Sequence, residues 1–188
     1  TGMLFLGVAL MLRFSSSSNA MAAESSQRVL AQVNLNLDSY LRNMMRVSDT
    51  VYYRVIKNTD LQREDMAREL RDALDLLYAK DREVLVSLAV FDGSGSLVSA
   101  TPLSELKNSV TPSRESWFTT AMERIENLHF STPHVQNLFD DPDSQYHWVV
   151  SLSRHVELSR GGVMQSGVLL VDMSFSGIER ICKEVSLS

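Results

Sequence analysis

The stretch that decides the class of fold is VSLAVFDGSGSLVSAT, at residues 86–101. Residues 84–91 are rich in β-branched and other apolar side chains, and residues 97–100 return to that character after a turn-forming DGSG at 92–95. Two such runs around a short glycine-containing turn predict a β-hairpin. The hairpin indicates an antiparallel sheet, to which the rest of the chain must be fitted.

Three more strands are predicted downstream. A short one covers residues 129–135, the longest covers 145–158, and a third covers 163–173 after a turn at Gly161-Gly162. Strand alternation places Tyr146, Trp148, Val150, Leu152, Arg154 and Val156 on one face of the longest strand. In the last strand, Val168, Leu170 and Asp172 share a face. Consecutive strands joined by short turns predict an antiparallel sheet of about five strands.

Residues 24–57 contain neither glycine nor proline and predict one long helix of roughly 50 Å at 1.5 Å per residue. Its apolar stripe repeats at alternating gaps of three and four residues, at Leu30, Val33, Leu37, Tyr40, Met44, Val47 and Val51. This spacing suits packing against a parallel partner helix, so the stripe is a candidate dimer or signalling surface. The alternative is that the stripe covers the sheet, and both uses are compatible along one helix.

Three further helices complete the predicted order. One begins at a capping box formed by Thr59 and Gln62 and runs to about residue 79. Another is capped by Thr111, has Pro112 at its first position and ends near residue 127. A closing helix starts at Ser174 or Ser176 and runs to about residue 183. The predicted fold is therefore α+β, with the long N-terminal helix packed on the sheet.

The first residues carry an apolar run, at 3–12, that ends at Arg13 and is followed by four serines at 15–18. The run is shorter than the roughly 20 apolar residues of a spanning helix, so it is interpreted as a truncated membrane anchor. A secretory signal is the alternative, and a tag-derived remnant around residues 18–20 is another. The expected division is 1–23 as anchor and exit, 24–58 as signalling helix and 59–188 as sensor lobe.

Composition excludes several classes of function. The 188 residues are 44% apolar, enough for one sizeable core, and a net charge of -5 without a basic stripe argues against a nucleic-acid partner. The single cysteine, Cys182, has no partner for an internal disulfide or a cysteine zinc site. Neither the four histidines nor the acidic turn at 140–143 has metal-ligand spacing. No nucleophile–base pair or phosphate loop is recognised, so we expect no enzyme activity, no cofactor and no metal.

Residues 30–181 resemble the membrane-distal lobe of a double-Cache domain, a PAS-like sensor carried outside the membrane by bacterial sensor histidine kinases. The likeness rests on the order of several segments: the long helix, the hairpin, SRESWFTTA, FSTPHVQNLF, VVSLSRHVEL and GVLLVDMSFSGIERI. The resemblance implies an extracytoplasmic domain attached to the cell membrane through a parent receptor that is a homodimer. Chemoreceptors and cyclic-dinucleotide enzymes also carry Cache domains, so the output of the parent stays open.

The resemblance also implies a ligand pocket on the sheet face opposite the long helix. Amino-acid-binding relatives share an Arg-x-Trp-aromatic run, and here Arg114 stands one residue too early before Trp117 and Phe118. Asp172 matches the aspartate that ends the late strand and holds a ligand ammonium; capping the closing helix is its alternative role. Trp148 and Arg154 complete the candidate site, and Arg154 needs a partner such as Asp172 or a bound anion.

The expected function is sensing of a small molecule of unknown class, or relay of a signal, by an extracytoplasmic domain. The alternatives are a ligand-free spacer, a docking surface for an extracellular binding protein, and a secreted binding module.

Overall fold

The computed structural model describes residues 23–102, 105–123, 128–143 and 147–186. Residues 1–22 of the expected anchor and exit at 1–23 lie outside this part. The helices are α1 (Ala23–Asp49), α2 (Glu64–Asp81), α3 (Ser116–Glu123) and α4 (Phe175–Ser186). No helix within the described ranges is both long enough and apolar enough to cross a membrane.

The sheet has six strands in the described residues: β1 (Leu85–Asp92), β2 (Leu97–Thr101), β3 (His129–Phe130), β4 (His134–Val135), β5 (Trp148–Arg160) and β6 (Val163–Ser174). Their order is β2-β1-β6-β5-β3, with β4 also paired to β5, and every pairing is antiparallel. This confirms the predicted α+β fold with an N-terminal helix on an antiparallel sheet. The predicted strand at 129–135 is split in two because Pro133 has no N–H to donate to a ladder.

The helical path of α1 continues beyond Asp49 through a π-helical segment (Thr50–Val55) and a 3-10 turn (Ile56–Asn58). Its apolar stripe is buried within this chain, together with strand residues from one face of the sheet, and the Tyr40 hydroxyl donates to the Ser174 carbonyl. Six stripe residues are buried, namely Val33, Leu37, Tyr40, Met44, Val47 and Val51, while Leu30 is half-buried. The stripe thus covers the sheet, and its pairing with a second subunit stays a prediction.

The start of α2 differs from the prediction. The Thr59 hydroxyl donates to the Val55 carbonyl at 2.8 Å, so it caps nothing downstream. Asp60 instead organises the turn, because its Oδ1 accepts from the Gln62 N–H at 3.0 Å and from the Gly161 N–H at 2.8 Å. The helix therefore begins at Glu64, and the capping-box prediction was wrong.

The predicted helix at Pro112 is also shorter than expected. Pro112–Arg114 forms a 3-10 turn, and Glu115 is extended with φ -74 and ψ 142, so α3 starts at Ser116. The predicted end of this helix, near residue 127, lies outside the described residues. α3 buries Phe118 and Ala121 against the sheet face opposite α1.

The sheet separates two apolar cores. The larger one, on the α1 side, contains Leu88, Val90, Leu152, Leu169 and Val171 from the strands. The smaller one, on the other side, contains Ala89, Phe91, Phe118, Phe139 and Leu170. Strand alternation places Asp172 on the smaller side, in line with Leu170 and Val168.

Candidate functional site

A buried carboxylate lies between the three central strands of the sheet. Asp172 on β6 is paired with Ser87 of β1 on one side and Ser151 of β5 on the other. Its Oδ2 accepts a hydrogen bond from the Ser87 hydroxyl at 2.9 Å, and its Oδ1 accepts one from the Ser151 hydroxyl. Register alone therefore brings three polar side chains together on the sheet face opposite α1.

The environment of this carboxyl disfavours its charge. Only 2% of Asp172 is exposed, and this burial raises the pKa of its carboxyl. Hydrogen bonds from Ser151 and Ser87, and the nearby His134, act in the opposite direction on that pKa. A buried carboxylate is costly unless it is hydrogen-bonded or meets a positive group, so a cation is the natural complement of the cluster.

The cluster extends from Asp172 toward solvent through β4. The Nε2 atom of His134 lies 3.3 Å from the Ser151 hydroxyl, and its Nδ1 lies 2.9 Å from the Thr132 carbonyl and 3.2 Å from the Ser131 hydroxyl. Ser131 in turn accepts from the Ser151 backbone N–H at 2.9 Å. Because His134 is exposed and Ser151 is buried, the chain links solvent to the carboxyl.

An aromatic group lies at the other end of this face. The Trp117 ring centroid is 5.2 Å from that of Phe91 and 5.7 Å from that of Phe118. Phe91 and Ser87 are four residues apart on β1, which is roughly 13 Å along a strand. Buried Ala89 and Leu170 occupy the intervening positions. The aromatic side chains and the Asp172 carboxyl therefore lie at opposite ends of one sheet face and are not in contact.

The six residues predicted to bind a ligand are not brought together. Asp172, Trp117 and Phe118 lie on the face opposite α1. Arg114 is exposed in the 3-10 turn before α3, where its backbone N–H donates to the Thr111 carbonyl at 2.9 Å, but its side chain forms no ion pair or hydrogen bond with any of the described residues. Trp148 is 54% exposed, and strand alternation places it, like Arg154, on the α1 side of the sheet.

Arg154 has a structural partner on α1. Its guanidinium donates to Asp49 Oδ1 at 2.6 Å and to the Ser48 hydroxyl at 3.1 Å, and it lies 4.8 Å from the Tyr52 ring centroid. The suggested pairing with Asp172 was therefore wrong, because alternation along β5 and β6 directs the two side chains to opposite faces. The ion pair ties the middle of β5 to the point where α1 becomes π-helical.

The capping role considered for Asp172 is not seen. Its oxygens accept from Ser151 and Ser87 rather than from N–H groups near Phe175. Sequence reasoning did not single out Ser87, Ser151 or His134. The available signal was a serine at inward positions of two apolar strands, in VSLAVF and VVSLSR.

The arrangement is not that of a nucleophilic site. In a serine–histidine–aspartate triad the histidine lies between the other two groups and activates the hydroxyl. Here Ser151 lies between Asp172 and His134, in the middle of a buried strand. Within the described ranges there is also no group of three or more His, Cys, Asp or Glu side chains suited to a metal ion.

A groove on the other side of the sheet is formed by the exposed side of α1 and its π-helical continuation. It encloses about 510 Å³ and is lined by Arg42, Met45, Arg46, Asp49, Thr50, Tyr53 and Arg54. Arg42 is paired with Asp38 and Asp49 with Arg154. None of the lining residues belongs to the carboxyl cluster, so the groove is separate from it.

Solved structures similar to this chain include ligand-binding domains of bacterial chemoreceptors. The chain is similar to the ligand-binding domain of the Pseudomonas aeruginosa PAO1 amino acid chemoreceptor PctC in complex with GABA, with a TM-score of 0.61, 15% identity, and 86% of this chain and 64% of that chain covered. It is similar to the ligand-binding domain of the Pseudomonas fluorescens chemoreceptor CtaA in complex with L-valine, with a TM-score of 0.55, 13% identity, and 80% and 60% covered.

A third similar structure is the ligand-binding domain of the Campylobacter jejuni chemoreceptor Tlp3 in complex with 4-methylisoleucine, with a TM-score of 0.55, 14% identity, and 90% and 65% covered. The chain spans less than two thirds of the length of these domains. No protein-family model matches the sequence, and neither does any curated protein sequence. At these identities the likeness establishes the fold.

Proposed function

We propose that this chain is the extracytoplasmic sensing domain of a bacterial membrane receptor and that it binds a small organic molecule carrying an ammonium group. The observation that carries the proposal is the buried Asp172 carboxyl, placed by strand register on the sheet face opposite α1. A carboxyl in such a position forms a strong charge-assisted hydrogen bond with a cationic donor. The domain itself is not an enzyme.

The chemistry of the rest of the face supports an amino-acid-like ligand. Small and apolar residues separate the carboxyl from Trp117 and Phe91, and this combination suits a molecule with one charged end and an aliphatic body. The similar chemoreceptor domains are complexed with GABA, L-valine and 4-methylisoleucine, which all carry an ammonium group. The ligand of this chain belongs to the same chemical class in our proposal.

Asp172 is only 2% exposed, so a ligand reaches it only if the surrounding structure moves. Phe139 is buried in the smaller core, and its segment is joined to residues 105–107 through the Asp140 N–H to Glu105 carbonyl bond at 2.9 Å and the Lys107 N–H to Leu138 carbonyl bond at 2.9 Å. The amide nitrogen of Gln136, which is 9% exposed, has no acceptor in the described part of the chain. An unsatisfied buried donor costs about 1–3 kcal/mol, which a rearrangement that supplied an acceptor would recover.

The signal would travel from the sheet to α1. A ligand that favours one arrangement of β5 and β6 also biases the position of Arg154 and hence the end of α1, to which Arg154 is bonded. The effect is limited by the ligand's differential affinity for the two arrangements. In the intact receptor, which we propose is a homodimer anchored in the cell membrane, α1 leads toward the anchor.

The output of the receptor is open between two classes. The sequence resemblance favours a two-component sensor histidine kinase, whereas the similar solved structures are from chemoreceptors, which favours that alternative. Both outputs lie outside the residues described, and either uses an extracytoplasmic sensor in the same way.

A second candidate function is a ligand-free spacer or a docking surface for an extracellular binding protein. The observation that favours it is the filled interior between the carboxyl and the aromatic side chains, where Ala89 and Leu170 are both buried. A face of this kind needs no ligand for stability.

Thermal denaturation with a panel of small molecules separates the two candidates. Amino acids, organic acids, sugars and nucleosides are added at millimolar concentration to the 188-residue chain. A ligand at 100 times its dissociation constant adds about 2.7 kcal/mol, which raises the melting temperature by roughly 5–10 °C. We expect a shift with a free amino acid and none with its N-acetylated form, which lacks the ammonium.

The variant that tests the site is Asp172→Asn, and Asp140→Asn, at an exposed aspartate, is its matched control. The shift should disappear in the first and persist in the second. A cooperative melt that no compound shifts would move the conclusion to the spacer or docking function.

A further inference from the structure

The hydrogen-bond chain from Asp172 to His134 has a shortage of hydrogens. The Ser151 hydroxyl has one hydrogen and two partners, Asp172 Oδ1 and His134 Nε2. At the far end, His134 Nδ1 lies 2.9 Å from the Thr132 carbonyl, which only accepts, so Nδ1 carries a hydrogen. The number of protons on the chain therefore decides which contacts are hydrogen bonds.

One additional proton satisfies every contact in two ways. If it is on His134 Nε2, the imidazolium donates to Ser151, and Ser151 donates to the Asp172 carboxylate. If it is on Asp172 Oδ1, the carboxylic acid donates to Ser151, and Ser151 donates to neutral His134. The Ser87 hydroxyl donates to Oδ2 at 2.9 Å in both cases. The two arrangements differ only by the transfer of the proton through Ser151.

Without that proton, one contact must fail. If Ser151 keeps its bond to the Asp172 carboxylate, its oxygen faces an unprotonated His134 Nε2 with no hydrogen between them. If His134 moves its hydrogen to Nε2, the lone pair of Nδ1 faces the Thr132 carbonyl, and only the Ser131 hydroxyl at 3.2 Å can donate to it. One contact of His134 is lost in either case: the half-buried one to Ser151 or the exposed one to Thr132.

We infer that Asp172, Ser151 and His134 form a proton-sharing chain that holds one proton in common and fastens β4 to the sheet while the proton is present. Three elements face Asp172, through Ser87 of β1, Ser151 of β5 and His134 of β4, and among the described residues His134 is the charged group that acts on its carboxyl. Exposed His134 provides the route by which solvent protons reach the buried site.

The consequence is a pH response of the domain that needs no organic ligand. β4 is only two residues long, and its neighbourhood is held to β5 by few other bonds, such as the Ser131 N–H to Ser151 carbonyl at 2.8 Å. Loss of the shared proton removes one contact of His134, and where this is the Ser151–His134 bond, β4 is loosened. A ligand ammonium would compete with the proton for the same carboxyl, but the chain exists independently of the proposed function.

The test is an NMR titration of the 188-residue chain, followed at the histidine ring carbons and at the aspartate carboxyl carbons. We expect the His134 and Asp172 signals to change over the same pH range, as coupled sites do. In Asp172→Asn and in Ser151→Ala, the His134 signals should no longer change over the wild-type pH range, because the shared proton has lost one of its two positions. The Ser131 amide should exchange faster with solvent above the transition.

Ser153→Ala is the matched control, because Ser153 is a buried serine on the same face of β5 two residues further along. It should leave the His134 transition unchanged, and His147 and His155 should not respond in any variant. The inference is overturned if His134 titrates at the same pH in the wild type and in Asp172→Asn. Should that variant not fold, an Asp172 carboxyl titration left unaltered by His134→Gln would overturn it equally.

Discussion

Replacing Arg154 by alanine tests the link between the sheet and α1. The Arg154 side chain is only 12% exposed, although it carries a charge, and it contacts Asp49, Ser48 and the Tyr52 ring. The substitution removes all three contacts and leaves a cavity between β5 and the π-helical segment. We expect a large loss of stability and a weaker mechanical connection between the sheet and the helix.

The magnitude follows from the contacts. Ser48 is fully buried, and its hydroxyl accepts a hydrogen bond from Arg154. Removing this donor leaves a buried hydroxyl without that bond, which costs about 1–3 kcal/mol. Loss of the cation–π contact with Tyr52 costs about 1–2 kcal/mol, and the half-exposed pair with Asp49 contributes up to about 1 kcal/mol. Part of this is offset, because the buried Nε of Arg154 has no partner among the described residues. The net loss is about 3 kcal/mol.

Thermal denaturation followed by circular dichroism measures this loss. For a chain of this size, about 3 kcal/mol corresponds to a fall in melting temperature of roughly 6–12 °C. Arg42→Ala is the matched control, since Arg42 forms an ion pair with Asp38 at 2.7 Å, but its own side chain is 73% exposed. The control should leave the melting temperature unchanged.

Equal melting temperatures for Arg154→Ala and Arg42→Ala would refute the reasoning. They would mean that the buried Arg154 guanidinium contributes no more to stability than the exposed one of Arg42, and that its contacts do not couple β5 to α1. Arg154→Met provides a further check, because it retains most of the volume. It should recover part of the loss if the cavity contributes, and none if only the polar contacts do.

Three other predictions concern different parts of the fold. Met44→Ala should lower the free energy of unfolding by about 2–5 kcal/mol in urea denaturation, because Met44 is fully buried, whereas Leu35→Ala, at a position 64% exposed, should change it little. Burial raises the pKa of the Asp172 carboxyl above the roughly 3.9 of an unfolded chain. The protonated carboxyl therefore stabilises the fold below about pH 4, and this contribution is lost as the pH rises through the raised pKa. Urea denaturation of the wild type should show this decline above pH 4, and Asp172→Asn should remove it. Gly95→Ala should lower the melting temperature more than Gly162→Ala. Both glycines have a positive φ, but only a Cβ added at Gly95 would clash with the backbone, at 2.7 Å from the Ser113 nitrogen.

Local patterns were sufficient to predict the elements of the fold. The apolar stripe from Val33 to Val51 predicts α1, and alternation around the turns at 92–95 and 161–162 predicts the central strands. These signals are local because helix and strand periods are properties of short segments. Two predictions of detail failed. Asp60 rather than Thr59 organises the turn before α2, and the strand predicted at 129–135 is divided in two at Pro133.

The candidate site was predicted only in part. Asp172 was singled out through the family resemblance, and alternation correctly grouped it with Val168 and Leu170. Its partners Ser87 and Ser151 are 85 and 21 residues away along the chain, and a pattern within one strand does not reveal the neighbouring residue in the next strand. The same limit explains why Arg154 was paired with the wrong aspartate.

By itself, the sequence determined which segments are helices and strands, which side of each is apolar, and that a carboxyl stands at an inward position of the last strand. Only the tertiary structure decided that the apolar stripe of the long helix packs against its own sheet and that Arg154 faces α1. It also decided that Asp172 meets two serines and, through one of them, a histidine. The physical reason is that burial and hydrogen bonding depend on strand order and register, which join residues far apart in the chain.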